Sequence, residues 1–265
     1  MKLSDVLEVV TRTDPGMLRS HNEDAVFGES DLGLVVLADG MGGYNAGEIA
    51  SGMATAFIKS ELSRWLSEAG ATLPHRDVRR AMEICVDSAN LSIFNAANSN
   101  ANYSGMGTTL VVGVFRDDVL VLGHIGDSRC YRVRAGKLEQ ISRDHSLLQE
   151  QLDAGLVTPE QAQHSNIKNL VTRALGVEEV VLLEVNEYPV ELGDIYLLCS
   201  DGLSDMVQDA AIAKIVTTEG ALEHKAQMLI DVANDNGGRD NISVLMVEVH
   251  EATEKRGLIA RLLGK

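Results

Sequence analysis

Aromatic side chains are scarce in this sequence: four Phe, five Tyr and one Trp among 265 residues. The core must therefore be filled by Val, Leu, Ile, Ala and Met, and a hydrophobic content of 45% argues against global disorder. Cysteines number only three, Cys85, Cys130 and Cys199, with no CxxC spacing. An odd, scattered set argues against a disulfide framework or a cysteine-type structural zinc, and it points to a reducing compartment. Basic residues are short too: 23 Lys plus Arg stand against 39 Asp plus Glu, a net charge of −16. Such a surface repels phosphate, so no nucleic-acid partner is expected. No apolar run approaches the length that spans a bilayer, and the first residues carry no secretory pattern. A soluble cytoplasmic chain without stable membrane insertion is the expectation.

What is present alternates between strand-like and helix-like segments. Apolar runs at 34–38, 108–114, 119–125, 180–190, 195–199 and 242–249 read as strands, and 130–134 with 138–141 reads as a hairpin about Ala135-Gly136. Helical spacing covers 46–65, with Ile49, Met53, Phe57 and Leu62 as the apolar face, and 78–97, with Met82, Cys85, Ala89 and Ile93. Further helices are expected at 209–215 and 221–234. Residues 146–178 have neither alternation nor a large apolar face and read as a mostly helical, exposed insertion. Residues 251–265 set Lys255, Arg256, Arg261 and Lys265 around Leu258, Ile259, Leu262 and Leu263, a basic amphipathic tail.

Four carboxylates share one context. Asp39, Asp127 and Asp201 each follow an apolar run, and Asp240 precedes one. In antiparallel sheets the end of one strand lies beside the start of its neighbour, so the four can meet at one edge of a sheet or sandwich. Carboxylates packed together repel, and hard divalent cations such as Mg²⁺ or Mn²⁺ relieve that cost with oxygen ligands and retained water. An Asp-Gly after an apolar run is also an ordinary turn, so spacing alone leaves both readings open.

The wording around these residues resembles the metal-dependent serine/threonine protein phosphatases of type 2C, in their bacterial form. Arg19-Ser-His-Asn-Glu-Asp24, Val36-Leu-Ala-Asp39-Gly40-Met-Gly-Gly43, Gly107-Thr108-Thr109 and Gly126-Asp127-Ser128-Arg129 match in order. Asp144-His145-Ser146, Thr172-Arg173-Ala-Leu-Gly176, Ser200-Asp201-Gly202-Leu-Ser-Asp205 and Asp240-Asn241 complete the series. The resemblance implies an α+β fold, a four-layer α/β/β/α sandwich of two antiparallel sheets flanked by helix pairs. It implies one catalytic domain over 1–250 with a flap at 146–178. Two Mn²⁺ or Mg²⁺ ions are implied, with a weaker third site. Asp39 bridges the pair, the Gly40 carbonyl binds one ion, Asp201 and Asp240 bind the other, and Asp24 supports them. Asp127, Asp201 and Asp205 form the third site, and Arg19 grips the substrate phosphate. The activity implied is hydrolysis of phosphoserine and phosphothreonine by water held between the metals, without a phospho-enzyme, by a monomer that opposes a Ser/Thr kinase.

Some eukaryotic members carry a His after the bridging Asp-Gly as an acid for the leaving group. Here Met41 stands there and cannot donate a proton, which leaves metal-bound water as the expected donor. His21, His124 and His145 read as packed or surface histidines. Ser128 lacks a Gly-x-Ser-x-Gly elbow, and the glycines at 40–47 lack the spacing of a nucleotide loop. The alternatives are a non-catalytic phosphoprotein-binding scaffold, which predicts missing carboxylates, and a phosphodiesterase or nuclease, which predicts a basic stripe.

Overall fold

The computed structural model describes residues 3–43, 46–70, 73–162 and 170–251. The chain begins with a 3₁₀ turn (Leu3–Asp5) and strands β1 (Leu7–Asp14), β2 (Asp24–Glu29) and β3 (Leu34–Met41). Two long helices follow, α1 (Ala46–Ala69) and α2 (His75–Ser99). Next come β4 (Gly107–Thr108), β5 (Leu110–Arg116), β6 (Val119–Ile125), β7 (Arg129–Arg134) and β8 (Lys137–Gln140). The insertion carries the short helices α3 (Leu147–Asp153) and α4 (Pro159–Ala162). The chain then runs through β9 (Glu184–Pro189), β10 (Ile195–Cys199), α5 (Asp201–Ser204), α6 (Asp209–Val216), α7 (Leu222–Asp235) and β11 (Ile242–Val249).

The strands form two antiparallel sheets, ordered β1-β11-β10-β7-β8 and β2-β3-β5-β6-β9, with β4 paired to β3. Period-2 alternation assigns each central strand to two cores. On β3, Leu34, Val36 and Ala38 face α1 and α2, while Val35 and Leu37 face the other sheet. On β10, Ile195, Leu197 and Cys199 face α6 and α7, while Tyr196 and Leu198 point between the sheets. Both faces of each sheet are thus apolar, which is why these strands read as continuous hydrophobic runs. The four-layer arrangement of helices, sheet, sheet and helices is the one expected.

Several local expectations are corrected. Strands β1 and β2 have no apolar run to announce them: β2 is half-buried along its whole length and carries Gly28 at its centre. A Cβ on Gly28 would stand 2.6 Å from Val9 Cγ1, so this glycine permits the close approach of the sheets. The expected strand 108–114 is split, because Thr109 leaves the ladder to bond Asp39. Of 180–190, only Glu184–Pro189 is strand. On α1, Ile49, Met53 and Phe57 are half-buried, and the fully buried face is Ala46, Ala50, Ala54, Ile58, Leu62 and Leu66. Small residues bring the helix close to the sheet, a demand that spacing of large apolar residues does not report. Within the expected flap, helix is confined among the described residues to α3 and α4. Its ends are pinned by the bridges Ser146 to Val171 and Thr108 to Leu175. The expected tail lies, beyond Glu251, outside the described residues. No helix among the described residues is long and apolar enough to cross a membrane.

Candidate metal centre

Strand direction gathers the acids. β3, β6 and β10 end at one end of the sandwich, and β2 and β11 begin there. Asp24 and Asp39 are direct partners across the β2–β3 ladder. Asp127 follows β6, Asp201 opens α5 just after β10, and Asp240 precedes β11. Asp205 caps the C-terminal end of α5, exposed at the same rim. Both sheets therefore contribute, so the meeting place is the end of the sandwich and not one sheet's edge.

Bonds between the contributing segments hold the arrangement. The Asp39 N–H donates to Thr109 Oγ1 at 3.0 Å, and its carbonyl accepts from Thr108 Oγ1 and from the Thr109 N–H, both at 2.8 Å. Thr109 Oγ1 lies 2.7 Å from Ser128 Oγ, which ties Asp39 to the turn that carries Asp127. Ser200 Oγ donates to Asp24 Oδ2 at 2.8 Å and accepts from the Ser243 N–H at 3.0 Å, joining the two sheets. Asn241 donates from Nδ2 to the carbonyls of Pro15 and His21, at 3.0 and 2.8 Å, and accepts from the Glu23 N–H at 2.8 Å. Arg19 Nη2 donates to Asp240 Oδ2 at 2.7 Å, with half of the Arg19 side chain exposed.

Gly202 has no room for a side chain: a Cβ there would lie 1.9 Å from the Asn241 carbonyl oxygen. Neither α5 nor β11 can retreat without moving Asp201 or Asp240. Gly202→Ala is therefore expected to cost about 3 kcal/mol or more, a fall of roughly 6–12 °C in melting temperature. Thermal unfolding followed by circular dichroism checks it, and an unchanged melting temperature would show that the contact relaxes freely.

The electrostatics are those of crowded acids. Burial first, then the charges of Asp24, Asp201, Asp127 and Asp240, push Asp39 well above the usual carboxylate range. Burial, with Asp127, Asp205, Asp240 and Asp24, does the same to Asp201. Burial pushes Asp24 up to about 6 against the opposing hydrogen bonds from Ser243 and Ser200. Asp127 also rises to about 6 through burial, with Asp144 adding and Arg129 opposing.

These residues fit a pair of hard divalent cations. Every nearby acid offers oxygen, and Asp24 Oδ1 is buried without a hydrogen-bond partner. Such an atom is costly unless a cation or water meets it. Among the described residues, the only three ligand-type side chains with donor atoms all within 4.8 Å of one another are Glu8, Glu248 and His250, on β1 and at the far end of β11. Mg²⁺ and Mn²⁺ suit an all-oxygen set, because they keep several waters and need few carboxylates each.

The neighbouring histidines His124 and His145 are packed side chains, as expected. His124 and His145 are buried against one another with ring centroids 4.6 Å apart, and burial pushes His124 down to about 4. His145 Nδ1 accepts from the Gly126 N–H at 3.2 Å and braces the turn before Asp127. Met41 sits on β3 opposite Gly107. Thr109, Ser200 and Asn241 stood in the motifs without a role. Their signal was a polar residue at the end of an apolar run, which marks a buried hydrogen bond as readily as a site.

Comparison with known proteins shows the family. The Protein phosphatase 2C family pattern matches residues 19–239. The serine/threonine phosphatase stp of Listeria innocua is 39% identical over 240 residues, 89% of this chain and 94% of that protein. Protein phosphatase PhpP of Streptococcus pneumoniae is 36% identical over 92% of this chain and 98% of its own length. A crystal structure of the catalytic domain of the phosphatase PstP in complex with two manganese ions superposes with a TM-score of 0.82. It is 36% identical, covering 93% of this chain and 99% of that one. With one ordered set of acids at the sandwich end, and matches over most of its length by sequence and by fold, this chain belongs to the protein phosphatase 2C family.

Proposed function

We propose that this chain is a Mn²⁺- or Mg²⁺-dependent phosphatase that removes phosphate from phosphoserine and phosphothreonine in proteins. The observation that carries the reading is the joining of Asp24, Asp39, Asp127, Asp201 and Asp240 at one rim with Arg19 beside them. Asp39, with the Gly40 carbonyl, Asp24, Asp201 and Asp240, would hold two cations, and Asp127 and Asp205 with Asp201 a weaker third. When bound, the cations lower the pKa of a held water to give a nucleophile near neutral pH, and they screen the dianionic phosphate.

The chain's own residues do the rest. Arg19 uses one N–H on Asp240 and keeps others free at the mouth of the site, where a phosphate accepts two of them in parallel. Charge growing on the equatorial oxygens during transfer is met by that guanidinium. Asn241 fixes the loop bearing Arg19 through the Pro15 and His21 carbonyls, so the grip is preorganised. Within hydrogen-bond reach of Asp39 lie Thr108 and Thr109, which hold its backbone and do not engage its carboxylate. No Cys serves as a nucleophile: Cys85, Cys130 and Cys199 are buried and free, and burial raises their thiols. The non-catalytic scaffold reading predicts lost acids, and the set is complete. A Ser/Thr kinase is the enzyme class whose product this chain would consume.

Arg19→Ala tests the grip. The expected result is a rise in KM for p-nitrophenyl phosphate of roughly tenfold to a hundredfold with Mn²⁺ present, partly restored by Arg19→Lys. Steady-state kinetics check it, and unchanged kinetics would remove Arg19 from the substrate site.

A further inference from the structure

Two large apolar side chains stand in solvent beside the proposed phosphate-binding arginine. Met17 is 67% exposed and Leu18 is 72% exposed, and Arg19 follows them. Their exposure is not looseness. The N–H groups of Met17 and Leu18 both donate to the Gly238 carbonyl, at 2.8 and 3.3 Å. The Gly16 N–H donates to Asp14 Oδ1 at 2.8 Å, and Asn234 Nδ2 donates to the same oxygen at 3.1 Å. With the Asn241 bonds to Pro15 and His21, the loop is tied at both ends to the segment that carries Asp240. A rigid loop that leaves apolar side chains in water forgoes the stabilisation of burying them, and such a patch marks a contact site.

The patch continues along the rim. A Cβ on Gly238 would lie 2.9 Å from Met17 Cγ, and one on Gly237 would lie 3.6 Å from Met206 Cε. Exposed Gly237 and buried Gly238 thus lie between Met17 and Met206, the residue after Asp205. This strip borders the acids on the side where Arg19 meets Asp240.

We propose that Met17 and Leu18 form an apolar shelf that determines specificity, reading an apolar side chain next to the phosphorylated Ser or Thr of the substrate. This rests on the phosphatase reading above and names the substrate class of the same site. The occupant follows from continuity: a peptide whose phosphate lies on Arg19 brings its flanking residues within reach of the exposed side chains adjoining Arg19. Met suits such a shelf because its thioether adapts to varied partners.

The test compares two phosphothreonine peptides that are identical except for Leu or Ser on either side of the phosphothreonine, with Mn²⁺ present. The wild-type chain is expected to favour the Leu peptide about tenfold in kcat/KM. The Met17→Ser, Leu18→Ser double variant is expected to lose that preference, and Met17→Leu with Leu18→Met to keep it. A wild-type chain without preference, or a preference that survives in the Ser variant, overturns the shelf while the phosphatase reading stands. A wild-type chain inert toward both peptides and p-nitrophenyl phosphate overturns that reading, and the shelf with it.

Discussion

Asp39→Asn is expected to lower kcat/KM for an aryl phosphate by at least about a thousandfold, while raising the melting temperature of the metal-free chain. The two effects have one cause. Asp39 is pushed well above the usual carboxylate range by burial and by four neighbouring carboxylates. Its charge is therefore a cost to the folded chain unless cations offset it. Asn keeps the shape, and the backbone bonds from Thr108 and Thr109 do not involve the side chain. The variant thus folds, with less repulsion at neutral pH. It loses the anionic oxygens that two divalent ions would share, and with them the chemistry those ions supply. Mn²⁺-dependent hydrolysis of p-nitrophenyl phosphate and thermal melting in a chelator check the pair. Activity within tenfold of the parent would remove Asp39 from the site. A lower melting temperature would make it a structural residue.

Stabilisation by Mg²⁺ is expected to grow with pH, from near zero at pH 4 to about 5–10 °C at pH 7 with the ion at about a hundred times its Kd. The sign follows from the carboxylates. Asp24 and Asp127 titrate near 6 in the folded chain against an ordinary 3.8, so the folded state holds protons that the unfolded state has released. Their stabilising contribution is complete below pH 3.8 and is lost as pH rises through about 6. Asp39 and Asp201 act in the same direction over a wider range. Cations compete with those protons, so they bind weakly when the acids are protonated and strongly when they are not. His124 and His145, lowered by burial, act oppositely, but they contribute with and without Mg²⁺ and cancel in the difference. Melting curves from pH 4 to pH 7, with Mg²⁺ or chelator, measure it. A difference independent of pH would show that the raised carboxylates are not the ones that bind the ion.

The order of the motifs is legible because Asp39, Asp127 and Asp201 sit where apolar runs stop and Asp240 where one begins, and a run such as Leu34 to Ala38 is unmistakable. Strands β1 and β2 were not, because their burial is partial and Gly28 interrupts the pattern. The buried face of α1 differs from the one that spacing predicts for a related reason: close packing on the sheet asks for Ala50 and Ala54, and the larger Ile49 and Phe57 lie at its sides. Local hydrophobicity reports how much a residue wants burial and does not report how near its neighbour will come.

The chemistry on offer was legible in the sequence: acids at strand ends without a zinc-type set and, through the family resemblance, an arginine in the opening motif and a layered sandwich. Long-range packing is what brings acids from two different sheets together at one end, lets Asn241 and Ser200 hold them there, and leaves Met17 and Leu18 exposed on a hydrogen-bonded loop. The reason is physical. Residue type and spacing set local periodicity and charge, whereas strand order, register and the closeness permitted by Gly202 arise from contacts between segments far apart in the chain.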